Sequence, residues 1–212
     1  MKKFKYISSE LSEHIPFTIL GALIGVIITA FFQTFDFDFY YRIFYMLHPL
    51  HVLLSALVTS SIFKYHSPGC KRGKCNFWLL LVIGYLGSIG IATVSDSIIP
   101  FIGEYLLDLP NRGIHLGFIE KWWLVNPMAI IGIVIAYYKP STKFPHSGHV
   151  LLSTFASLFH ILMAAGSNLN WFIYIYILLF LFLAVWLPCC ISDIVFPLLI
   201  VKDPEKNTLE EK

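Results

Sequence analysis

The chain has 212 residues, 57% of them hydrophobic and 13% charged, with a formal net charge of +2 and a mean hydropathy of +0.73. A soluble domain of this length carries about a quarter charged residues, so the composition excludes an ordinary soluble protein, and no nucleic-acid partner is expected. The implied class is all-α: a polytopic integral membrane protein of an inner or plasma membrane, with residues 1–212 forming one transmembrane helical domain in contact with the lipid bilayer.

A helix needs about 20 mainly apolar residues to cross a bilayer. Six segments meet that standard, at residues 15–33, 40–63, 76–102, 122–138, 147–166 and 171–201, which predicts a six-helix bundle. The opening "MKKFKYISSELSEH" has a long charged region and no small-x-small cleavage pattern after the apolar run, so 15–33 reads as a retained first helix. Pro188 and Pro197 in the last segment predict a tilt or kink there. With the N-terminus inside, twelve of the fifteen Lys and Arg residues fall on the cytoplasmic side. Only Arg42, Arg112 and Lys121 fall outside. This bias predicts that both termini are cytoplasmic.

The second segment carries "LHPLHVLLSALVTSS", in which His48, His51, Ser55 and Thr59 step by three, four and four. Positions three or four apart share a helix face. The third segment carries "GIATVSDSIIPFIGE", with Thr93, Asp96 and Pro100 on one face and Glu104 a turn beyond. Gly84, Gly87 and Gly90 precede them as positions for close helix approach. Asn126 lies near the outer end of the fourth. On the fifth, "PHSGHVLLSTFASLFH" sets His146, His149, Ser153, Ser157 and His160 in a single stripe, and the sixth adds Cys189, Cys190 and Asp193. Intramembrane ionisable groups are costly and normally face a partner or a water-filled cavity.

At about 1.5 Å rise per residue, His48, His51, Asp96 and His160 come to similar depths and predict an outer cluster. His115 and Glu120 lie in the loop above it. His146, His149 and Asp193 fall nearer the inner end, as an inner gate. Neutral imidazoles with a carboxylate suit a divalent transition metal, zinc or iron before others, and are too rich in nitrogen for calcium or magnesium. Cys70 and Cys75 fall in a cytoplasmic loop with His66, where thiols stay reduced. Neither that pair nor Cys189 and Cys190 reads as a disulfide framework.

Three resemblances bear on function. "FPHSGH" resembles the PSGH motif of the type-2 phosphatidic acid phosphatases. His146 interrupts that motif and no Arg follows Arg112, so the phosphate pocket is missing and the resemblance is rejected. Ser55, His51, Asp96 and the pair His146 and His149 resemble, in ligand type and order, the membrane hydrolases that include alkaline ceramidases, which implies zinc at a lipid-hydrolysing site. The spacing here is HxxH, where that family has HxxxH. A weaker resemblance is to two-haem cytochromes b, since His146 and His160, and His51 and His66, are fourteen and fifteen residues apart.

Ligands strung over several depths favour conduction over catalysis, because conduction needs weak binding at several sites. The expected function is therefore transport of a divalent transition-metal cation. The metal ligands would be His48, His51, Asp96, His146, His149 and His160, with Ser55, Ser153 and Asp193 along the pathway. A metal-dependent intramembrane lipid hydrolase is the alternative, and a b-type haem protein a further one. Whether the chain is an enzyme, which residues would be catalytic, and whether it forms a homo-oligomer are left open by the sequence.

Overall fold

A computed structural model describes residues 15–16, 18–25, 27, 35–71, 73–165, 171–190 and 196–200. Regular structure among the described residues is entirely helical. Five long helices are α1 (Phe37–His66), α2 (Phe77–Leu106), α3 (Trp122–Tyr138), α4 (Lys143–Ala165) and α5 (Trp171–Cys190). Of the described helices, α1, α2 and Gly148–Ala165 within α4 are long and apolar enough to cross a membrane. Trp122–Tyr138 and Phe172–Trp186 are shorter apolar helices. The predicted segment 122–138 coincides with α3, while α1 runs three residues past both predicted ends, α2 four past its predicted last residue, and α4 begins four before its predicted first. The first and sixth predicted segments are described only in part, as helical residues 15–16, 18–25 and 27, then α5 and Phe196–Ile200. Asp193 lies outside the described residues.

Helix α1 is the central post, packed against α2, α3 and α4. Its start is fixed by Asp36, whose carboxylate accepts the Phe39 N–H at 3.0 Å. Its end is fixed by Pro68, which has no N–H with which to continue the ladder. Burial runs around the whole circumference, from Ser55 to Phe63 without a break. The other helices keep one apolar face outward, as Val82 and Leu86 do on α2 and Ile130 and Ile131 on α3. Such faces suit lipid contact.

Close approach of the backbones depends on small residues. A methyl at Gly132 on α3 would meet the Leu53 carbonyl of α1. Of the three glycines expected to serve packing on α2, Gly84 lies against Ser60 and Ile133 and Gly87 against Thr59 and Phe196, whereas Gly90 has nothing within 4 Å. At the far end of α1, Lys64 Nζ donates to the Tyr137 carbonyl. Tyr65 Oη donates to the Pro140 carbonyl at 2.9 Å, and the Ser141 N–H to Ser61 Oγ at 3.0 Å. The α3–α4 connection is thereby tied to α1.

Two local features were not expected. Within α2, residues Val94–Ile98 form a π turn, closed by the Ile99 N–H donating to the Val94 carbonyl five residues back. Pro100 lies two residues on and has no N–H for the Asp96 carbonyl, which its ring also crowds. Widening the turn relieves that conflict and carries Ser95, Asp96 and Ser97 into the core together. The second feature corrects the expectation of reduced thiols: Cys70 and Cys75 form a disulfide, with Cα atoms 3.9 Å apart. The chain reverses between them through the Lys74 N–H to Gly69 carbonyl bond of 3.0 Å and Gly73 at φ 76°. Side chains separated by only five positions meet because the turn is this tight. The disulfide and the basic-residue count point this loop to opposite sides of a membrane.

Candidate metal centre

Asp96 is fully buried at the π turn and takes four hydrogen bonds, two at each oxygen. His48 Nδ1 and His51 Nδ1 lie 2.9 and 2.7 Å from Oδ2. Ser95 Oγ and Ser153 Oγ donate to Oδ1 at 2.7 and 2.9 Å. The imidazoles come from successive turns of α1, the first serine from the π turn itself and the second from α4. An isolated carboxylate would be very costly at such a position, and four donors replace the water it has lost. Ser157 Oγ donates to the Ser95 carbonyl at 2.9 Å, so α4 is fastened to the widened turn at two points.

His48, His51 and Asp96 are the group of three among the described residues whose ligand atoms all lie within 4.8 Å of one another. This donor set could hold a metal ion. Ligands about 2.0–2.2 Å from a tetrahedral ion sit about 3.3 Å apart, so the group would have to open by roughly half an ångström. With both Nδ1–H groups donating to Asp96, each imidazole instead keeps Nε2 for a ligand. A carboxylate behind a histidine is the arrangement that orients metal-binding imidazoles. His48 is seated by a missing side chain: a Cβ on Gly117 would fall 2.6 Å from its Nε2 and 2.5 Å from its Cδ2.

The remaining predicted ligands divide. His149 was expected at an inner gate, yet its buried ring stacks on His51 with centroids 5.5 Å apart. It therefore belongs to the Asp96 layer. His160 was expected beside Asp96 and is not there. Its Nδ1 lies 2.6 Å from Glu104 Oε1, both groups being buried, and Phe44 packs against both its ring and that of His48. The Phe44 ring is 5.3 Å from that of His48 and 5.4 Å from that of His160. His160 Nε2 is buried with no hydrogen-bond partner among the described residues. Ser153 lies on Asp96 as described, and Ser55 is buried on the same helix as His51. His146 is within α4 but its side chain, like Asp193, is outside what the structure describes.

Glu104 also accepts the Gly113 N–H at 3.3 Å. A second imidazole–carboxylate pair lies beside this one: His115 Nδ1 is 3.3 Å from Glu120 Oε2, and the His115 and His160 rings are 5.4 Å apart. Glu120 also accepts from Tyr45 Oη at 2.6 Å. Sequence placed Glu104, His115 and Glu120 near the site without giving Glu104 its partner; the signal was its position two turns after Asp96. Asn126 has a packing role, accepting from Tyr85 Oη at 3.1 Å and donating to the Phe118 carbonyl at 3.3 Å. In the cytochrome-like spacing, His66 Nδ1 is bonded to the Ile62 carbonyl at 2.9 Å, while His51 Nδ1 faces Asp96.

Comparison of the chain with family models, with curated proteins and with solved structures finds no match.

Proposed function

We propose that the protein moves a divalent transition-metal cation across a membrane, with the Asp96 layer as its central station. One observation carries this reading: imidazole–carboxylate groups follow one another from the surface of the bundle to its interior. His115 and Glu120 are partly exposed, His160 and Glu104 are buried, and His48, His51 and Asp96 are buried as well, with His149 against His51. A cation passing along this series exchanges one set of nitrogen and oxygen donors for another, as conduction through weak sites requires. Phe44, in contact with both His160 and His48, would be the apolar partition between the last two stations.

The test uses protein reconstituted in liposomes that enclose a zinc- or iron-sensitive dye, with metal content measured on the same preparation. Glu104→Gln keeps size and hydrogen bonding but removes the charge behind His160. Flux should fall about ten- to a hundredfold, the range typical of lost carboxylates behind metal-binding histidines, while metal at the Asp96 layer is retained. Parent protein that binds metal and gives no flux would overturn the transport reading.

A second reading, a metal-dependent hydrolase acting on lipid, has its own support. His51, His149, Asp96 and Ser153 are gathered at one depth, as a catalytic metal with an open position requires. Fatty-acid release by parent protein that shows no flux would favour it.

A further inference from the structure

At the end of the bundle where α1 and α3 begin, a groove of about 490 Å³ opens on the outer surface between them. Its wall on α1 is a single stripe: Arg42, Met46 and Leu50 follow at spacings of four. On α3 the opposite wall descends from Lys121 to Met128. The two helices run in the same direction here, so both cations stand at the head of the groove and both methionines lie below them. Met46 and Leu50 are exposed in the isolated chain, at 56% and 40%. The distance from Arg42 to Leu50 along the helix is about 12 Å.

Lys121 is held in place, and neither cation is neutralised by an ion pair among the described residues. Lys121 Nζ lies over the rings of Tyr41 and Tyr45, 5.4 and 5.6 Å from their centroids. Among the described residues no carboxylate forms an ion pair with Lys121 or Arg42. Trp122 and Trp123, both exposed, flank the same level, as aromatic residues do at a membrane–water boundary. An apolar channel about 12 Å deep, capped by two positive charges at that level, matches a molecule with a hydrocarbon tail and an anionic head.

We propose that this groove binds an anionic phospholipid, its phosphate between Arg42 and Lys121 and one acyl chain along Met46, Leu50 and Met128. Charge complementarity chooses this occupant over a second copy of the chain, which would have to supply a carboxylate against the same two cations. The site does not depend on the transport reading.

The experiment is native mass spectrometry of the full chain, purified in mild detergent and offered equal amounts of phosphatidylglycerol and phosphatidylcholine. One phosphatidylglycerol per chain should be retained in preference to phosphatidylcholine. Each basic residue near an anionic lipid surface contributes about a fivefold change in affinity. Arg42→Gln with Lys121→Gln should therefore weaken retention of phosphatidylglycerol about thirtyfold. If the double variant does not purify as a single species, each single variant should show about fivefold. Met46→Trp, which fills the groove and leaves both charges, should displace the lipid as well. Equal retention of the two lipids by the parent overturns the proposal, as does undiminished phosphatidylglycerol on the charge variants. Efficient Met46→Cys self-crosslinking in native membranes would also overturn it, by making a second copy the occupant.

Discussion

Asp96 and Glu104 are two buried carboxylates on one helix, eight positions apart, and they are satisfied in different ways. Asp96 receives four side-chain donors from three elements, two of them imidazoles. Glu104 receives one imidazole and one backbone N–H. Around Asp96 the four donors fill the acceptor positions of the carboxylate, and the cluster doubles as the junction of α1, α2 and α4. Around Glu104 the network is thin, and the imidazole it orients has a buried Nε2 without a hydrogen-bond partner among the described residues. The first is built to stay in place. The second has a donor-acceptor position to offer, which is what a transient station needs.

The largest expected effect follows from removing charge at the junction. Asp96→Asn keeps the shape but sets amide hydrogens against two imidazoles and leaves fewer acceptors for four donors. Breaking a buried pair in this way costs about 3–5 kcal/mol. The variant should melt far below the parent in detergent and retain less than a hundredth of its bound metal. Glu104→Gln should change melting much less. Equal destabilisation by the two substitutions would erase the distinction between junction and station.

A smaller effect separates the seat of His48 from its charge partner. Gly117→Ala places a methyl where the imidazole stands, and overpacking of this kind costs about 1–3 kcal/mol. Metal affinity should fall about tenfold through reorientation of His48, with His160 and Glu104 unaffected because their bond to each other does not involve His48. The histidine side-chain resonances report it directly: those of His48 should shift and those of His160 should not.

The stripes on α1 and α4 were legible in the sequence because helix geometry alone decides which residues share a face. His48, His51, Ser153, Ser157 and His160 all turn inward as their spacing requires. Which carboxylate each would meet was not legible. Depth counted from predicted helix ends put His160 beside Asp96 and His149 at a gate. The actual heights depend on where α4 begins, at Lys143, and on the π turn that Pro100 imposes. Those are matters of packing and backbone accommodation, which spacing does not encode. The Cys70–Cys75 bond was hidden for a similar reason, since it depends on a turn closed by backbone hydrogen bonds around Gly73. The three helices among the described residues that are able to span a membrane announced themselves through composition and length.

The smallest expected effect tests whether the Asp96 junction is redundant. Ser153→Ala removes one of four donors and fills its place with a methyl group, leaving Ser95 Oγ on the same carboxylate oxygen at 2.7 Å. Hydrogen bonds between membrane helices contribute about 0.6 kcal/mol on average, and the lost bond strands no other group, because the Ser95 hydroxyl is itself a donor to Asp96. A loss of about 0.5–1 kcal/mol in detergent unfolding is expected, with bound metal unchanged within twofold. The two imidazoles hold Oδ2, and α4 remains fastened by Ser157 to the Ser95 carbonyl. If metal binding instead collapsed with this single hydroxyl, Ser153 would have to act on the metal or on a reacting group. The cluster would then be a catalytic centre assembled at one depth, and the contrast with Glu104 would be one of active site against structural pair.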